Sequence, residues 1–128
     1  MHSFLHVVSG DGPHLLPLAT VVEVLPMVTL DRGTEAGGPR YCGLLQYRGA
    51  VVPAFALSEH DLDPQSHPEW MITVVRSGEV TTAWVVRDVA GVLDVPPEQL
   101  VQPVVGGDGG LCVVEVDGAL VRVVGERA

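Results

Sequence analysis

The residues best suited to metal or acid–base chemistry lie in one acidic segment, residues 58–69. His60 is followed directly by Asp61, and His67 lies in the same segment, so the three side chains could meet around a metal ion or a small ligand. A solvated surface loop explains the same composition more simply. A small β-barrel that binds a ligand or a metal, with no signalling role, is therefore only an alternative hypothesis for the function.

The common catalytic spacings are absent from the sequence. No two of its five histidines have the HExxH spacing of zinc proteases, and no serine lies in a Gly-x-Ser-x-Gly turn. The glycines of residues 106–110 resemble a phosphate-binding loop only in composition, because no Lys-Ser or Lys-Thr follows them. No set of nucleophile, base and orienting residue emerges. We therefore expect neither an enzyme nor a bound cofactor.

Arg48 is a better candidate for recognition than for catalysis. It precedes Gly49 between two apolar segments, 43–47 and 50–57, which are typical of buried strands. An unpaired guanidinium is costly to bury, so Arg48 is either exposed at a turn or paired there. A cation presented by a rigid strand–turn–strand frame suits recognition of a partner. A solvated arginine at an ordinary hairpin corner fits the spacing equally well.

The composition favours an all-β protein of short strands. The chain has 128 residues, of which 47% are hydrophobic, and it contains 15 glycines and 10 prolines. Valine dominates the apolar residues, and its stiff side chain favours pleated strands, while glycine and proline supply the turns. The length suits a single domain over residues 1–128, formed by two small lobes that share a core.

The charge excludes several classes of partner. The formal net charge is −9 with only seven basic residues, which argues against nucleic acid and against anionic lipid surfaces. No apolar run is long enough to span a membrane, and the N-terminus lacks the features of a signal peptide, so we expect a cytoplasmic protein without direct membrane insertion. Cys42 and Cys112 form no CxxC motif and are expected to act as small buried hydrophobes.

Turn signals divide the chain into many short strands. Ser77-Gly78-Glu79 and Asp117-Gly118 each predict a hairpin. Residues 18–25 carry apolar side chains at helical spacing after Pro17, which predicts a helix, although their valine content leaves a strand as the alternative. Pro53 lacks an N–H and predicts an edge strand or a bulge. Strands are predicted at 4–9, 14–16, 44–47, 50–57, 71–76, 81–87, 111–116 and 119–124, and residues 89–95 are predicted to be a strand or a turn. One helical turn is predicted at 96–100, with loops at 31–40 and 58–69.

The order of these segments resembles the CheW-like domain of bacterial chemotaxis, which occurs in coupling proteins and in the regulatory domain of the CheA histidine kinase. The most specific parts are Val21-Val22-Glu23-Val24 and the Gly-x-x-x-x-Arg-Gly-x-x-x-Pro run from Gly43 to Pro53. A Val-rich hairpin, the segment 89–99 and a final hairpin follow in the same order. The resemblance covers almost the whole chain.

The resemblance implies two small SH3-like five-stranded barrels that share a hydrophobic core, with one or two short helices. It also implies a non-enzymatic adaptor that couples the cytoplasmic tip of a methyl-accepting chemoreceptor to the regulatory domain of a CheA-type histidine kinase. Matched by motif, the receptor-facing residues would be Val21, Glu23, Gly43, Arg48 and Gly49.

Three departures mark the chain as a divergent relative of that family. Ala56 stands where the family usually has an aspartate after the Arg-Gly turn, and Arg87 stands in a later acidic position. Gln46 replaces the usual asparagine before the turn. The loss of two acids puts one of the expected interfaces in question, so the resemblance predicts the fold more firmly than the partners.

Overall fold

The computed structural model describes residues 1–31, 38–101, 111–116 and 118–127, and the side chains of 101, 111–112 and 125–127 are not part of that description. Strands make up most of the described chain, and its helical segments are short 3-10 turns. The strands are β1 (His2–Ser9), β2 (Gly12–Pro17), β3 (Val21–Pro26), β4 (Tyr41–Tyr47), β5 (Ala50–Ala56), β6 (Met71–Ser77), β7 (Val80–Val86), β8 (Asp88–Val95), β9 (Leu100–Val101), β10 (Leu111–Val116) and β11 (Ala119–Arg127). The 3-10 turns are Leu18–Thr20, Glu59–Asp61, Pro64–Ser66 and Pro97–Gln99.

The strands form two sheets, one for each lobe. The first has the order β8-β1-β2-β11-β10-β9, in which β9 is only two residues long, and the second has the order β3-β6-β7-β5-β4. The chain therefore starts in the first lobe, builds all of the second, and returns to complete the first. This arrangement confirms the predicted all-β fold of two small SH3-like barrels. Within the described residues, no helix is long and apolar enough to cross a membrane.

The predicted helix over residues 18–25 is wrong. Only Leu18–Thr20 forms a 3-10 turn, and Val21–Pro26 is strand β3, which pairs antiparallel with β6. The strand alternative is correct for residues 21–26. Valine favours pleated structure, and β6 offers this segment an edge with which it can pair. The distant pairing decides between two conformations that the local pattern leaves open.

Pro53 lies in an inner strand and pairs with Leu44 in regular register, contrary to the prediction of an edge strand or a bulge. Strand β5 pairs with β4 on one side and with β7 on the other, but the pairing with β7 covers only residues 54–56. Pro53 precedes that stretch, so its missing N–H falls where the ladder with β7 has not begun.

The two lobes share a hydrophobic core, as predicted. Each sheet has its own buried cluster, and a third cluster contains buried residues of both sheets. Its buried members are Leu5, Val7, Leu16, Leu57 and Val86, which come from β1, β2, β7 and the residue that follows β5. Burial of each such aliphatic side chain contributes about 1.5–3 kcal/mol, so the junction holds the lobes together.

The segment 58–69 is more ordered than the predicted acidic loop. Asp61 is fully buried, and its carboxylate accepts hydrogen bonds from the backbone N–H of Gly10 and from Nε of Arg87, both at 2.8 Å. The Arg87 guanidinium also lies 5.2 Å from the ring centroid of Trp70, and the His67 ring stacks on the same indole at 4.0 Å. The segment is thus fastened to the β1–β2 turn and to the crossover between β7 and β8.

The remaining predictions concern single residues and loops. Cys42 is buried as expected, and its thiol lies 3.7 Å from the carbonyl oxygen of Arg40. The side chain of Cys112, the segment 106–110, most of the predicted loop 31–40 and Asp117 lie outside the described residues.

Candidate functional site

Arg48 occupies a two-residue hairpin turn between β4 and β5, as predicted. Tyr47 pairs with Ala50 across this turn, and Arg48 and Gly49 both have positive φ, 49° and 81°. Positive φ at both central residues is the pattern of a type I′ turn, which matches the twist of the flanking strands but favours Asn or Gly at the first position. Arg48 is the single non-glycine residue of the described chain with positive φ. Arg48, a residue with a long charged side chain, therefore has an unfavourable backbone conformation.

The Arg48 side chain is held by a specific set of contacts. Its Nη2 donates to Oε1 of Glu23 at 2.7 Å, and the phenol of Tyr47 donates to the same oxygen, also at 2.7 Å. The guanidinium carbon lies 5.1 Å from the centroid of the Tyr47 ring. Glu23, Tyr47 and Arg48 thus form one hydrogen-bonded group, which we call the Glu23 cluster.

The position of the Glu23 cluster follows from the topology of the second sheet. Glu23 belongs to β3 and Tyr47 to β4, and these two strands are the opposite edges of the sheet order. A direct contact between them means that the sheet has curled until its edges meet. The cluster therefore lies at the seam of the barrel, and a bulge in β3 between Val21 and Glu23 lies beside it.

The electrostatics of the cluster favour a fixed ion pair that partners can still reach. The side chain of Arg48 is 71% exposed and that of Glu23 is 34% exposed. The pKa of Tyr47 is raised, first because its hydroxyl donates to Glu23 and the bond holds the proton on the phenol. An exposed ion pair adds little to folding stability, so this one contributes little to the free energy of unfolding.

The other predicted site residues have different environments. Val21 is half-buried against the cluster shared by the two lobes, and Gly43 is buried in β4 with a φ of 143° beside a bulge. Gly49 supplies the second positive φ of the turn. The structure therefore joins Glu23 directly to Arg48, whereas Gly43 and Gly49 contribute backbone geometry.

Sequence reasoning missed Tyr47, which completes the cluster. The available signal was its position next to Arg48 at the end of a strand, where an aromatic ring can stack on a neighbouring guanidinium. It also missed a groove of about 500 Å³ beside the cluster, lined by Val22, Tyr47, Arg48, Ala50, Val51, Val52, Arg76, Glu79 and Thr81.

The two lost acids lie at structural positions. Ala56 is fully buried in the core of the second sheet, and its N–H donates to the carbonyl of Arg40 at 2.9 Å. Arg87 pairs with the buried carboxylate of Asp61. Ala56 and Arg87 therefore have structural contacts in this chain, and neither belongs to the Glu23 cluster.

The structure does not favour the metal alternative. Asp61 is committed to Gly10 and Arg87, His60 lies 3.5 Å from Asp11, and the exposed face of His67 carries a contact with Glu69 at 3.2 Å. No group of three or more His, Cys, Asp or Glu residues with the geometry of a metal site occurs in the described part of the chain.

The chain is an all-β pair of joined barrels with an exposed ion-pair cluster, and comparison with known proteins places this fold in a family. Residues 3–124 match the CheW-like domain family, and the chain belongs to that family. The fold matches the crystal structure of the scaffolding protein TtCheW from Thermoanaerobacter tengcongensis, with a TM-score of 0.74 and 15% identity over 95% of this chain and 87% of that one. A search of curated proteins found no match.

Family membership supports a scaffold or adaptor role in chemotaxis. The family is a non-catalytic one and generally interacts with chemoreceptors and CheA, so membership is consistent with a protein that transforms no substrate.

Proposed function

We propose that this chain is a non-enzymatic cytoplasmic adaptor that couples a methyl-accepting chemoreceptor to the regulatory domain of a CheA-type histidine kinase. It acts as a single unit over residues 1–128. The family supplies the general role, and the Glu23 cluster supplies the candidate contact with the receptor.

The observation that carries this proposal is the left-handed backbone of Arg48, whose φ is 49°. An L-residue in that region costs about 1–2 kcal/mol, and such strain persists mostly where function retains it. Asn or Gly would form the same turn without this cost. The presence of arginine at this strained position supports a role for its side chain, and the contacts with Glu23 and Tyr47 fix where that side chain lies.

A preformed cation lowers the entropic cost of binding. An unrestrained arginine side chain has many rotamers, and ordering such a side chain at an interface costs about 0.5–1.5 kcal/mol. The hydrogen bond of Arg48 to Glu23 already restricts this side chain in the free protein, so less entropy is lost when a partner binds. The remaining guanidinium nitrogens can then pair with a carboxylate or carbonyl of the receptor, which fixes register more than it adds raw affinity.

The remaining receptor-facing residues have supporting roles in this proposal. Gly49 permits the turn that presents Arg48, and Gly43 permits the bulge that shapes β4. Val21 connects the surface to the core shared by the two lobes. Val22, next to it, keeps 46% of its surface exposed and offers apolar contact area.

The test is charge reversal at Arg48 with a matched arginine as control. Arg48→Glu is expected to weaken binding to a purified cytoplasmic fragment of the cognate chemoreceptor by about tenfold, the scale of one important interface residue. Arg122→Glu makes the same charge change on the exposed face of β11 in the other lobe and should bind like the parent. Circular dichroism and the unfolding midpoint would check that both variants fold.

Two results would contradict the proposal. If Arg48→Glu binds the receptor fragment as tightly as the parent, Arg48 has no role in that contact. If the parent protein binds neither the receptor fragment nor the CheA regulatory domain in a titration, the coupling function itself is wrong.

A further inference from the structure

Strand β8 forms one edge of the first sheet. It lies outside β1 in the sheet order, and within the described part of the chain it pairs with β1 alone. The strand is eight residues long, Asp88–Val95, and three consecutive residues in it are exposed: Ala90, Gly91 and Val92. Side chains of a strand alternate between its two faces, so consecutive exposure means that solvent reaches both faces of β8 here.

The hydrogen bonds of β1 show which backbone groups of β8 point to the open edge. The N–H of Arg87 donates to the carbonyl of Val8 at 2.7 Å, so the backbone of Val8 points to β8. Strand β1 pairs with β2 without a register shift, so its backbone groups alternate regularly between β2 and β8, and those of Phe4 also point to β8. Phe4 lies opposite Leu93, so the backbone of Leu93 bonds to β1.

Val92 and Asp94, on either side of Leu93, direct their backbone groups to the open edge. Their side chains share one face of the sheet, and Val92 is 58% exposed. Asp94 is exposed as well. Its Oδ1 accepts a hydrogen bond from the hydroxyl of Ser3, while its Oδ2 has no hydrogen-bond partner among the described residues. The edge thus combines free N–H and C=O groups with an apolar side chain and an oriented carboxylate.

An extended segment is the element that matches these groups. The N–H and C=O groups at an open sheet edge pair with those of a further strand, whereas a helix has already paired its backbone groups internally. When a strand is added to an edge, the backbone hydrogen bonds supply affinity and the side chains that lie opposite each other select the partner.

The charge of β8 and its continuation favours a basic partner over a second copy of this chain. Residues 88–99 contain three acids, Asp88, Asp94 and Glu98, and no lysine or arginine. A second copy that paired through β8 would bring the same acids to the same edge, on a chain of net charge −9. Opposite charges across a strand pair attract, and like charges repel. The acids therefore oppose self-association and select a cationic strand.

We propose that β8 is a docking edge for an extended segment of a partner protein. The segment adds to the first sheet as a further strand beside Val92 and Asp94, and it carries a lysine or arginine opposite Asp94. A β-branched side chain lies opposite Val92. The inference goes beyond the adaptor function and does not rest on it, because β8 belongs to the first sheet and the Glu23 cluster to the second.

The experiment titrates synthetic peptides into the ¹⁵N-labelled full chain. Two peptides of roughly eight alternating Thr and Val residues, the length of a strand, differ only in a central Lys or Glu. The amide signals of Val92 and Asp94 should shift most, because their N–H groups gain acceptors, and the Lys peptide should bind about threefold more tightly. A Lys peptide that is N-methylated on its central amides cannot donate from either edge and should not bind.

A matched pair of variants tests the role of the carboxylate. Asp94→Asn keeps an oxygen for Ser3 but removes the charge, so it should bind the Lys and Glu peptides equally. Asp63→Asn makes the same charge change at an exposed acid of the segment 58–69 and should keep the preference for Lys. Circular dichroism would check that both variants fold.

Several results would overturn the inference. One is a parent that binds neither peptide or binds both equally, and another is a preference that persists in Asp94→Asn. Undiminished binding of the N-methylated peptide would mean that no strand is added. Dimerisation of the parent in sedimentation, with concentration-dependent shifts of Val92 and Asp94, would make a second copy the occupant. None of these results bears on binding of the receptor fragment or the kinase domain, so the proposed function stands or falls separately.

Discussion

The Nε atom of Arg87 lies 2.8 Å from Oδ1 of Asp61, whose side chain has no exposed surface. Oδ2 of the same carboxylate accepts the N–H of Gly10 at 2.8 Å. The two bonds bring together three separate parts of the chain: the β1–β2 turn of the first lobe, the connection that follows β5 in the second, and the crossover between the lobes. A Cβ on Gly10 would lie 2.7 Å from Cβ of His60, so this approach requires glycine.

Removal of the Asp61 carboxylate should therefore loosen the joint between the lobes. Asp61→Ala leaves the Gly10 N–H without its acceptor and Arg87 without its counter-ion, and we expect a loss of about 2–4 kcal/mol in the free energy of unfolding. Asp63→Ala is the matched control in the same segment, since Asp63 is exposed and its carboxylate bonds, among the described residues, only to the hydroxyl of Ser66. It should cost about 0.5 kcal/mol or less. Urea denaturation measures both, and equal losses would contradict a special role for Asp61.

The backbone strain at Arg48 predicts that two substitutions at this position differ in their effect on stability but have similar effects on binding. Asn tolerates positive φ and valine does not, so Arg48→Asn should be more stable than Arg48→Val by about 1–2 kcal/mol. Both variants lose the guanidinium and should bind the receptor fragment weakly. Thermal or urea unfolding gives the stability difference. Equal stability of the two variants would mean that the turn relaxes out of the left-handed conformation.

Tyr47 gives a spectroscopic test of the Glu23 cluster. Its pKa is raised above 10.0, chiefly by the hydrogen bond to Glu23, while the nearby Arg48 charge acts in the opposite direction. In a Tyr41→Phe background a single tyrosine remains, and its ionisation can be followed by ultraviolet absorbance. Glu23→Gln should lower the midpoint because the phenol then loses its hydrogen bond to a carboxylate, and because the carboxylate charge no longer opposes the phenolate. An unchanged midpoint would show that Tyr47 and Glu23 are not bonded in solution.

Local turn chemistry made most of the strands predictable from the sequence. The Ser77-Gly78-Glu79 signal and the Arg48-Gly49 break both correspond to observed hairpins. The segment 18–25 was not predictable, because its apolar spacing suits a helix and a strand alike, and the pairing with β6 that decides the matter comes from a distant part of the chain.

The candidate site was predictable only in part. Resemblance to the family pointed to Glu23 and Arg48 separately, but their 2.7 Å contact depends on the closure of the second sheet, which no local pattern encodes. Asp61 looked solvated because it lies among other acids. Its carboxylate is buried against two partners that are distant in sequence, Gly10 before it and Arg87 after it.

His14 provides a test of the first lobe through the pH dependence of stability. The residue is 7% exposed in β2, and its Nδ1 lies 3.3 Å from Oγ of Ser9 and 3.2 Å from the carbonyl oxygen of Gly12. Its pKa is lowered from 6.5, first by burial and further by the positive charge of Arg122, while the Gly12 carbonyl acts in the opposite direction. The folded state therefore keeps this imidazole neutral at pH values where the unfolded chain takes up a proton.

Since the unfolded state then binds more protons at His14 than the folded state, the contribution of His14 to the free energy of unfolding falls as the pH drops below about 6.5. His14→Gln removes this contribution, so its stability should fall less than that of the parent between about pH 7.5 and about pH 5. His2→Gln serves as the control, because His2 is exposed at the start of β1 and should leave the parent's pH dependence intact. Urea titrations at several pH values measure the difference. A parent and a His14→Gln variant with the same pH slope would show that His14 is solvated and titrates alike in both states.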